Sequence, residues 1–287
     1  MSEFTQFLII GLVTGVLYAL IALGIIFIYR GSNIVNFGHG GFAALGAFAF
    51  VSVYDKGSRP YALALLAACV LTAAIAGVAQ QIAIRQVVDR DPIDGAVITL
   101  GLLTILTFSI GIVWGATPRQ MPQAFGSEGM TIGDLVVSYH QVMAVVIGVA
   151  LFTAVGFFLQ ATRMGRAFRA ISEKRQVAQL MGIPTPAYDL GVWMLGGAIA
   201  ALAGILVAPT TGLTTTALTF IMVKALAAAM IGQLVSIPRT IVGALAIGVA
   251  ESMAIWKLPD VTGIREILAF AVITGALLLA PRERVLA

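Results

Sequence analysis

The sequence predicts an all-α membrane protein, a polytopic transmembrane bundle of about eight or nine spanning or half-spanning helices. Apolar residues make up 60% of the 287 positions, charged residues make up only 10%, and the mean hydropathy is +1.01. A soluble domain has about 45–50% apolar and about 25% charged residues. Apolar runs of about 20 residues, the length that crosses the hydrocarbon core of a bilayer, recur along the chain.

Nine apolar runs are candidates for membrane segments. In chain order they are Phe4–Ile28, Phe37–Val53, Tyr61–Ile84, Gly95–Gly115, Gln141–Leu159, Leu190–Ala208, Leu218–Leu234, Thr240–Trp256 and Arg265–Ala280. Two of them are weak candidates, because the second is short and rich in glycine and the seventh contains Lys224.

The distribution of basic residues predicts the orientation. If segment 162–188 is cytoplasmic, alternation of nine crossings places eleven basic residues on that side, six in other loops and five in the segment itself. These are Arg30, Arg85, Arg90, Arg239, Arg282 and Arg284, with Arg163, Arg166, Arg169, Lys174 and Arg175. The other side holds Lys56, Arg59, Arg119 and Lys257. This asymmetry follows the positive-inside rule with an outer N-terminus. If the second candidate re-enters or merges with its neighbour, eight crossings remain and the N-terminus moves inside.

The chain is expected to form a single permease-like domain over residues 1–287, since it contains no long linker, charge block or low-complexity tract. Membrane orientation accounts for the net charge of +4, so a nucleic-acid partner is not predicted. Each half contains a glycine-interrupted apolar segment, Gly31–Gly46 and Gly212–Gly248. Paired interruptions of this kind are typical of internal repeats with a substrate-binding site between them, near the midplane of the membrane.

The longest and most basic interruption is Thr162–Tyr188, and it predicts a cytoplasmic amphipathic helix. Residues Gly165–Met181 repeat apolar side chains on one face, and Gly182 with two following prolines ends the pattern. Such a helix either lies on the lipid surface or docks its apolar face into a groove of a cytoplasmic partner.

Four sequence blocks, in order, resemble the permeases of branched-chain amino-acid ABC transporters. The first is LYALIALGIIFIYRGSNIVNFGHGGFAALGAF, in which glycine replaces the alanine of the family's Asn-Phe-Ala-His-Gly-like core. The second is GRAFRAISEKRQVAQLMGI, which is similar to the family's coupling segment. GGAIAALAGIL and IVGALAIGVAES resemble later blocks. The chain departs from the family at Ile231-Gly232-Gln233, at Pro238-Arg239 and at Lys224.

The resemblance implies an inner-membrane, multi-pass permease that works with other subunits. These would be a second permease in a probable heterodimer, two cytoplasmic ATP-binding subunits and an extracytoplasmic solute-binding protein. The chain itself would carry no cofactor, because ATP and Mg would be bound by the ATPase subunits. The implied coupling residues are Gly165, Arg166, Phe168, Arg169, Ile171, Glu173, Ala178, Met181, Gly182 and Ile183.

Asn33, Asn36 and His39 lie between the first two apolar runs and are candidates for the translocation pathway. Unpaired polar groups in hydrocarbon cost several kcal/mol, so these side chains should face protein, water or headgroups. Either they line the pathway at a broken helix, or they begin a helix near the membrane surface with Asn36 as its N-cap. No second ligand accompanies His39, so a metal site is not predicted.

Lys224 and Glu251 are charged residues within predicted spans and complete the candidate pathway. A lysine at the centre of a span costs at least about 2.5–3.5 kcal/mol. Lys224 could attract a carboxylate-bearing solute, snorkel to the outer surface, or pair with Glu251.

The chain lacks a Gly-x-x-x-x-Gly-Lys-Ser/Thr phosphate-binding loop, so we do not expect it to hydrolyse ATP by that route. Energy must come from a partner ATPase or from an ion gradient. The alternative function is therefore a secondary carrier for small organic solutes. Such carriers need buried acidic residues, and Glu251 is the one acid well inside a predicted span.

Overall fold

The computed structural model describes residues 3–55, 60–115, 117–126, 128–132, 135–258, 261 and 263–279. Within these ranges the chain forms a bundle of α-helices, which confirms the predicted fold class. The helices are α1 Glu3–Ser32, α2 His39–Asp55, α3 Tyr61–Ile82, α4 Pro92–Trp114, α5 Tyr139–Ala161, α6 Arg163–Glu173, α7 Arg175–Leu180, α8 Thr185–Thr211, α9 Ala217–Ile231, α10 Ile237–Lys257 and α11 Ile264–Leu279. A 3-10 turn, Ile84–Gln86, follows α3.

A short antiparallel hairpin, which the sequence analysis did not predict, precedes α5. Its strands are β1 Gly129–Ile132 and β2 Leu135–Ser138, with Gly129 opposite Ser138. The Ser138 side chain caps α5 by accepting from the His140 backbone N–H.

All nine predicted membrane segments correspond to helices. Six of the described helices are long and apolar enough to cross a membrane, while α2 and α9 are shorter. α3, α4 and α5 expose large apolar side chains such as Phe108, Ile112 and Phe157, as a lipid-facing surface requires. α1 and α8 form the buried centre.

Contacts between loops show which helix ends lie together. Arg30 donates to Ser172, and Arg175 pairs with Asp89, so the connections after α1, α3 and α5 share one end. We call this the inner end, because it carries the basic segment 162–188. Trp256 donates to Glu3 at the opposite, outer end. The N-terminal end of α1 therefore lies at the end opposite to segment 162–188, which is the arrangement that the nine-crossing alternative predicts. Of the basic residues used for orientation, Lys56, Arg59, Arg282 and Arg284 lie outside the described residues.

Both short helices begin inside the bundle and not at its surface. The Phe37 backbone N–H donates to Thr99 Oγ1 about two turns into α4, which holds the segment before α2 between the helices. His39, the first residue of α2, lies against Gly24 of α1. α9 is entered from the outer end, where Leu213 pairs with Arg119 of the outer loop. Gly40 then packs on the backbone of Leu218 and Thr219, so the first turns of α2 and α9 meet.

The predicted single helix Gly165–Met181 is wrong, because the segment is broken at Lys174. This residue has extended backbone angles, φ −148° and ψ 94°, and it separates α6 from α7. The break turns α7 so that Arg175 can reach Asp189 at the start of α8. The predicted stop is confirmed, since Gly182 has φ +79°.

α1 packs closely on α10, and this contact requires glycine. A Cβ atom at Gly15 would lie 2.7 Å from the Leu245 Cα atom and 2.9 Å from the Ala244 carbonyl oxygen. Backbone atoms cannot rotate away as a side chain can, so a larger residue must separate the two helices.

We therefore expect Gly15→Leu to lower the stability of the protein by more than the about 1–3 kcal/mol typical of overpacking. The measurement is the thermal unfolding midpoint in detergent. Gly101→Leu is the matched control, since Gly101 is exposed on α4 and a Cβ atom there meets nothing within 4 Å. Equal midpoints for the two variants would contradict the packing described here.

Candidate functional site

A buried ion pair joins three helices in the outer half of the bundle. Lys224 of α9 and Glu251 of α10 are 6% and 4% exposed, and Lys224 Nζ lies 2.8 Å from Glu251 Oε1. The Tyr18 hydroxyl of α1 donates to Glu251 Oε2 at 2.7 Å, and Lys224 Nζ lies 3.4 Å from that hydroxyl. Both carboxylate oxygens therefore accept a bond from a different helix.

This geometry bears on the three alternatives for Lys224. Pairing with Glu251 is confirmed. Snorkelling to the outer surface is wrong, because the lysine is buried and its ammonium group is held by Glu251 and Tyr18. Lys224 is not among the lining residues of the neighbouring cavity, and its role in the translocation pathway stays a prediction.

A cavity of about 190 Å³ lies above the ion pair and is formed by the outer halves of α1, α8, α9 and α10 with the first turn of α5. Its lining combines polar groups with branched apolar side chains. The lining residues are Ile10, Thr14, Leu17, Tyr18, Gln141, Val207, Thr210, Thr211, Ile221, Gly248, Glu251, Ser252 and Ile255. We call this space the outer cavity. Tyr18 and Glu251 form the floor of this cavity. Lys224 is not among the lining residues.

Asn36 and His39 are brought together at the start of α2, deep in the bundle. Both are 0% exposed, and neither Asn36 amide atom has a hydrogen-bond partner among the described residues. The His39 ring lies near the Ile21 backbone, but no contact of its nitrogens has the geometry of a regular hydrogen bond. The alternative of Asn36 as an N-cap is therefore wrong, since only its backbone carbonyl accepts from the His39 N–H. Buried side-chain amides and imidazoles are usually hydrogen-bonded. The Asn36–His39 pair is therefore an unusual feature of the bundle interior.

Asn33 does not join this pair. Its backbone has φ +55°, its N–H donates to the Tyr29 carbonyl at 2.7 Å, and its side chain is exposed. This is a left-handed residue that ends a helix, a role for which asparagine is suited. The structure therefore gives Asn33 a structural role at the inner end of α1.

The predicted coupling residues divide into two groups. Arg166, Arg169, Glu173, Met181 and Gly182 are exposed, and Ile183 is half-buried. Gly165, Phe168, Ile171 and Ala178 are buried within the chain itself.

The prediction that Phe168, Ile171 and Ala178 form an exposed docking face is therefore wrong. The Phe168 ring stacks on Phe27 of α1 with centroids 5.0 Å apart. Gly165 lies directly against the backbone of α5 at Phe158 and Leu159. These residues fasten α6 to the spanning helices. The large exposed apolar side chains of the segment are Met164 on α6 and Val177, Leu180 and Met181 at α7 and its end.

Arg175 is the polar anchor of α7. Its guanidinium group donates to both Asp189 oxygens, at 2.8 and 2.6 Å, and to Asp89 at 2.9 Å. The hydrogen bonds that Arg175 donates to the Asp189 carboxylate raise the pKa of Arg175 above its ordinary value, so the guanidinium group is charged at any physiological pH. α7 is thereby tied to α8 and to the connection before α4.

Sequence reasoning missed Tyr18, Asp189, Thr14 and Ser252. A tyrosine within an apolar run gives no signal of its own. Asp189, an acid at the start of a span, could have been found by asking which basic residue neutralises it.

Comparison with known proteins gives a consistent result over nearly the whole chain. A family model described as the permease component of the branched-chain amino acid transport system matches residues 7–280. The chain is 27% identical over 294 residues to the high-affinity branched-chain amino acid transport system permease protein BraD of Pseudomonas aeruginosa, covering 97% of this chain and 94% of BraD. It is 27% identical over 292 residues to the corresponding permease protein LivH of Escherichia coli strain K12, with the same coverage of 97% and 94%.

Among solved structures, one chain of PsaBC from Streptococcus pneumoniae in complex with Fab has a similar fold. The TM-score is 0.53 at 15% sequence identity, and the match covers 99% of this chain and 95% of that chain. At this identity the likeness concerns the fold alone.

The buried ion pair yields a stability prediction. Removing one partner of a buried pair costs about 3–5 kcal/mol, because the other charge is left uncompensated. Lys224→Met and Glu251→Gln should each lower the thermal unfolding midpoint strongly, and the double variant should lose much less than the sum. Lys257→Met, an exposed lysine on the same helix as Glu251, serves as the control. Strictly additive losses would show that the two charges do not interact.

Proposed function

The chain belongs to the family of branched-chain amino acid transport permeases, and from this membership we propose how it works within a transporter. It is a multi-pass inner-membrane permease of an ABC importer. We propose that it forms the translocation pathway for branched-chain or related amino acids. The observation that carries this proposal is the family match over residues 7–280, together with relatives that are named as permeases of high-affinity branched-chain amino acid transport.

The partners follow from the same proposal. Two cytoplasmic subunits bind ATP and Mg and supply the energy, a second permease completes the pathway, and an extracytoplasmic binding protein delivers the solute. The chain itself contributes the pathway and the contact to the ATPase subunits. The ion-gradient alternative is disfavoured, because the carboxylate of Glu251 is already neutralised by Lys224.

We propose that the ATPase docks on α7 and not on α6. Val177, Leu180 and Met181 are 50%, 87% and 78% exposed at the inner end, where a helix of this kind would reach a cytoplasmic partner. A groove of about 670 Å³ lies beside them, lined by residues of α6, α7 and the α9–α10 connection, including Glu173, Lys174 and Val235. An ATPase loop or helix that enters this groove would bury the exposed side chains.

Motion of α7 would reach the outer cavity through α8. Arg175 connects α7 to Asp189 near the inner end of α8. α8 has 27 residues and therefore a length of about 40 Å. Thr210 and Thr211 in its last turn line the outer cavity. A rigid-body shift of α8 driven from the inner end would therefore change the shape of the cavity.

The proposed function is tested by copurification and reconstitution. The permease should copurify with an ATPase subunit. In lipid, the complex with its binding protein should hydrolyse ATP faster when a branched-chain amino acid is added. Transport that persists without any ATPase and responds to an ion gradient would reverse the choice between the two candidate functions.

Substitution on α7 should separate docking from folding. Leu180→Glu should greatly reduce copurification of the ATPase while the thermal unfolding midpoint stays unchanged, since Leu180 is 87% exposed. Phe168→Glu should instead lower the unfolding midpoint, because it places a charge in the contact with Phe27.

Gln86→Glu is the matched control for Leu180→Glu. It adds the same charge at an exposed position of the inner end, outside the coupling segment. If Leu180→Glu and Gln86→Glu retain the ATPase equally, docking on α7 is incorrect.

A further inference from the structure

We propose that an anionic phospholipid of the inner leaflet binds between α5, α6 and α8, with one acyl chain in an apolar groove and its headgroup at the arginines beside α6. The groove has a volume of about 300 Å³, and we call it the inner groove. Its lining includes Phe158 of α5, Met164 and Phe168 of α6, and Tyr188, Gly191 and Leu195 of α8. This inference goes beyond the proposed function and does not rest on it.

The lining of the inner groove suits hydrocarbon and not a polar ligand. Tyr188 is the one lining residue whose side chain carries a polar group. It lies in the first turn of α8, and tyrosine is enriched at the level of the lipid headgroups. Met164 and Leu195 are 62% and 50% exposed, so the groove opens at the surface of the chain. A ligand that covers this surface must itself be largely apolar.

The inner groove has the depth of one leaflet. Along α8 its lining runs from Pro184, the residue before the helix, to Leu195, which is eleven residues or about 16 Å. Half of a hydrocarbon core of about 30 Å is about 15 Å. α5 borders the groove and exposes Val149 and Phe157, as a helix in contact with lipid does. An acyl chain of the inner leaflet can therefore follow the groove over its whole length, whereas a cytoplasmic protein would reach only its inner end.

Arginines surround the inner end of the groove and select an anionic headgroup. Arg163 is exposed and directly precedes a lining residue. The guanidinium carbon of Arg30 lies 5.8 Å from the centre of the Phe168 ring, which lines the groove. Arg30 and α6 together carry four arginines and one carboxylate, that of Glu173. In the described part of the chain Arg163 forms no ion pair. This excess of positive charge attracts a lipid with a net negative headgroup.

The first test compares two lipids with the same acyl chains on the unmodified full-length protein. The permease in detergent is titrated with phosphatidylglycerol, which is anionic, and with phosphatidylcholine, which is zwitterionic. Native mass spectrometry counts the bound lipids. We expect the first phosphatidylglycerol to bind at a concentration at least tenfold lower than the first phosphatidylcholine. Equal affinities for the two lipids would overturn the proposal.

Gly191→Leu tests the acyl-chain part of the site. A Cβ atom at Gly191 meets nothing within 4 Å, so a leucine has room there and would occupy part of the groove. Binding of phosphatidylglycerol should weaken at least tenfold. Gly101→Leu makes the same change at an exposed position of α4 that also has free space, and should leave binding unchanged. Equal affinities for the two variants would show that the lipid does not lie in the groove.

Arg163→Gln tests the headgroup part of the site. It should reduce the preference for phosphatidylglycerol over phosphatidylcholine at least threefold, because one positive charge at the headgroup is removed. Arg85→Gln removes the same charge at an exposed position after α3, also at the inner end, and should leave the preference unchanged. An unaltered preference in Arg163→Gln would remove the headgroup from this position.

Two further outcomes identify other occupants. Inorganic phosphate in large excess should not displace phosphatidylglycerol, because it lacks the acyl chain. Displacement by phosphate would reduce the site to an anion site at the arginines. If Gly191→Leu instead leaves lipid binding unchanged and abolishes copurification of a second permease chain, the inner groove is a protein interface and the proposal is wrong.

Discussion

The outer half of the bundle depends on the buried ion pair between Lys224 and Glu251 and on the hydrogen bond from Tyr18 to Glu251. Each residue comes from a different helix, so α1, α9 and α10 are held at one point inside the membrane region. The glycine contacts between α1 and α10 bring these two backbones close enough for a tyrosine hydroxyl to reach the carboxylate. The floor of the outer cavity therefore forms for two reasons. Glycines allow α1 to pack closely on α10, and Lys224 compensates the buried charge of Glu251.

A second set of contacts fixes the inner half. α6 is fastened by the stacking of Phe168 on Phe27, and α7 is fastened by Arg175 on Asp189 and Asp89. Neither helix can then move without α1 and α8, which are the two central helices of the bundle. α1 and α8 also contribute residues to the outer cavity. Segment 162–188 is therefore connected to the outer cavity through two continuous helices.

Hydropathy was sufficient to predict the nine apolar helices, because a lipid-facing helix must be apolar over about 20 residues. The pairing of Lys224 with Glu251 was also within reach, since two opposite charges in apolar helices have few other partners. An amphipathic pattern, however, does not show whether the apolar face of a helix packs against the rest of its own chain or against another protein. For this reason Phe168 and Ile171 were assigned to docking, although they pack inside the chain. No glycine or proline marks the break at Lys174 in the sequence. The break accompanies the bonds from Arg175 to Asp89 and Asp189, and a single sequence does not show that these residues meet.

Stability alone does not explain the buried ion pair. Apolar residues of similar volume often replace a buried pair without loss of stability, so packing alone gives no reason to retain it. An acid in this position without a cation would pay the large cost of burying a charge, and would lose that charge by binding a proton. Lys224 compensates the charge of the carboxylate, and the Tyr18 hydroxyl donates to its second oxygen. The lysine thus acts as the counter-ion of Glu251 and ties α9 to α10.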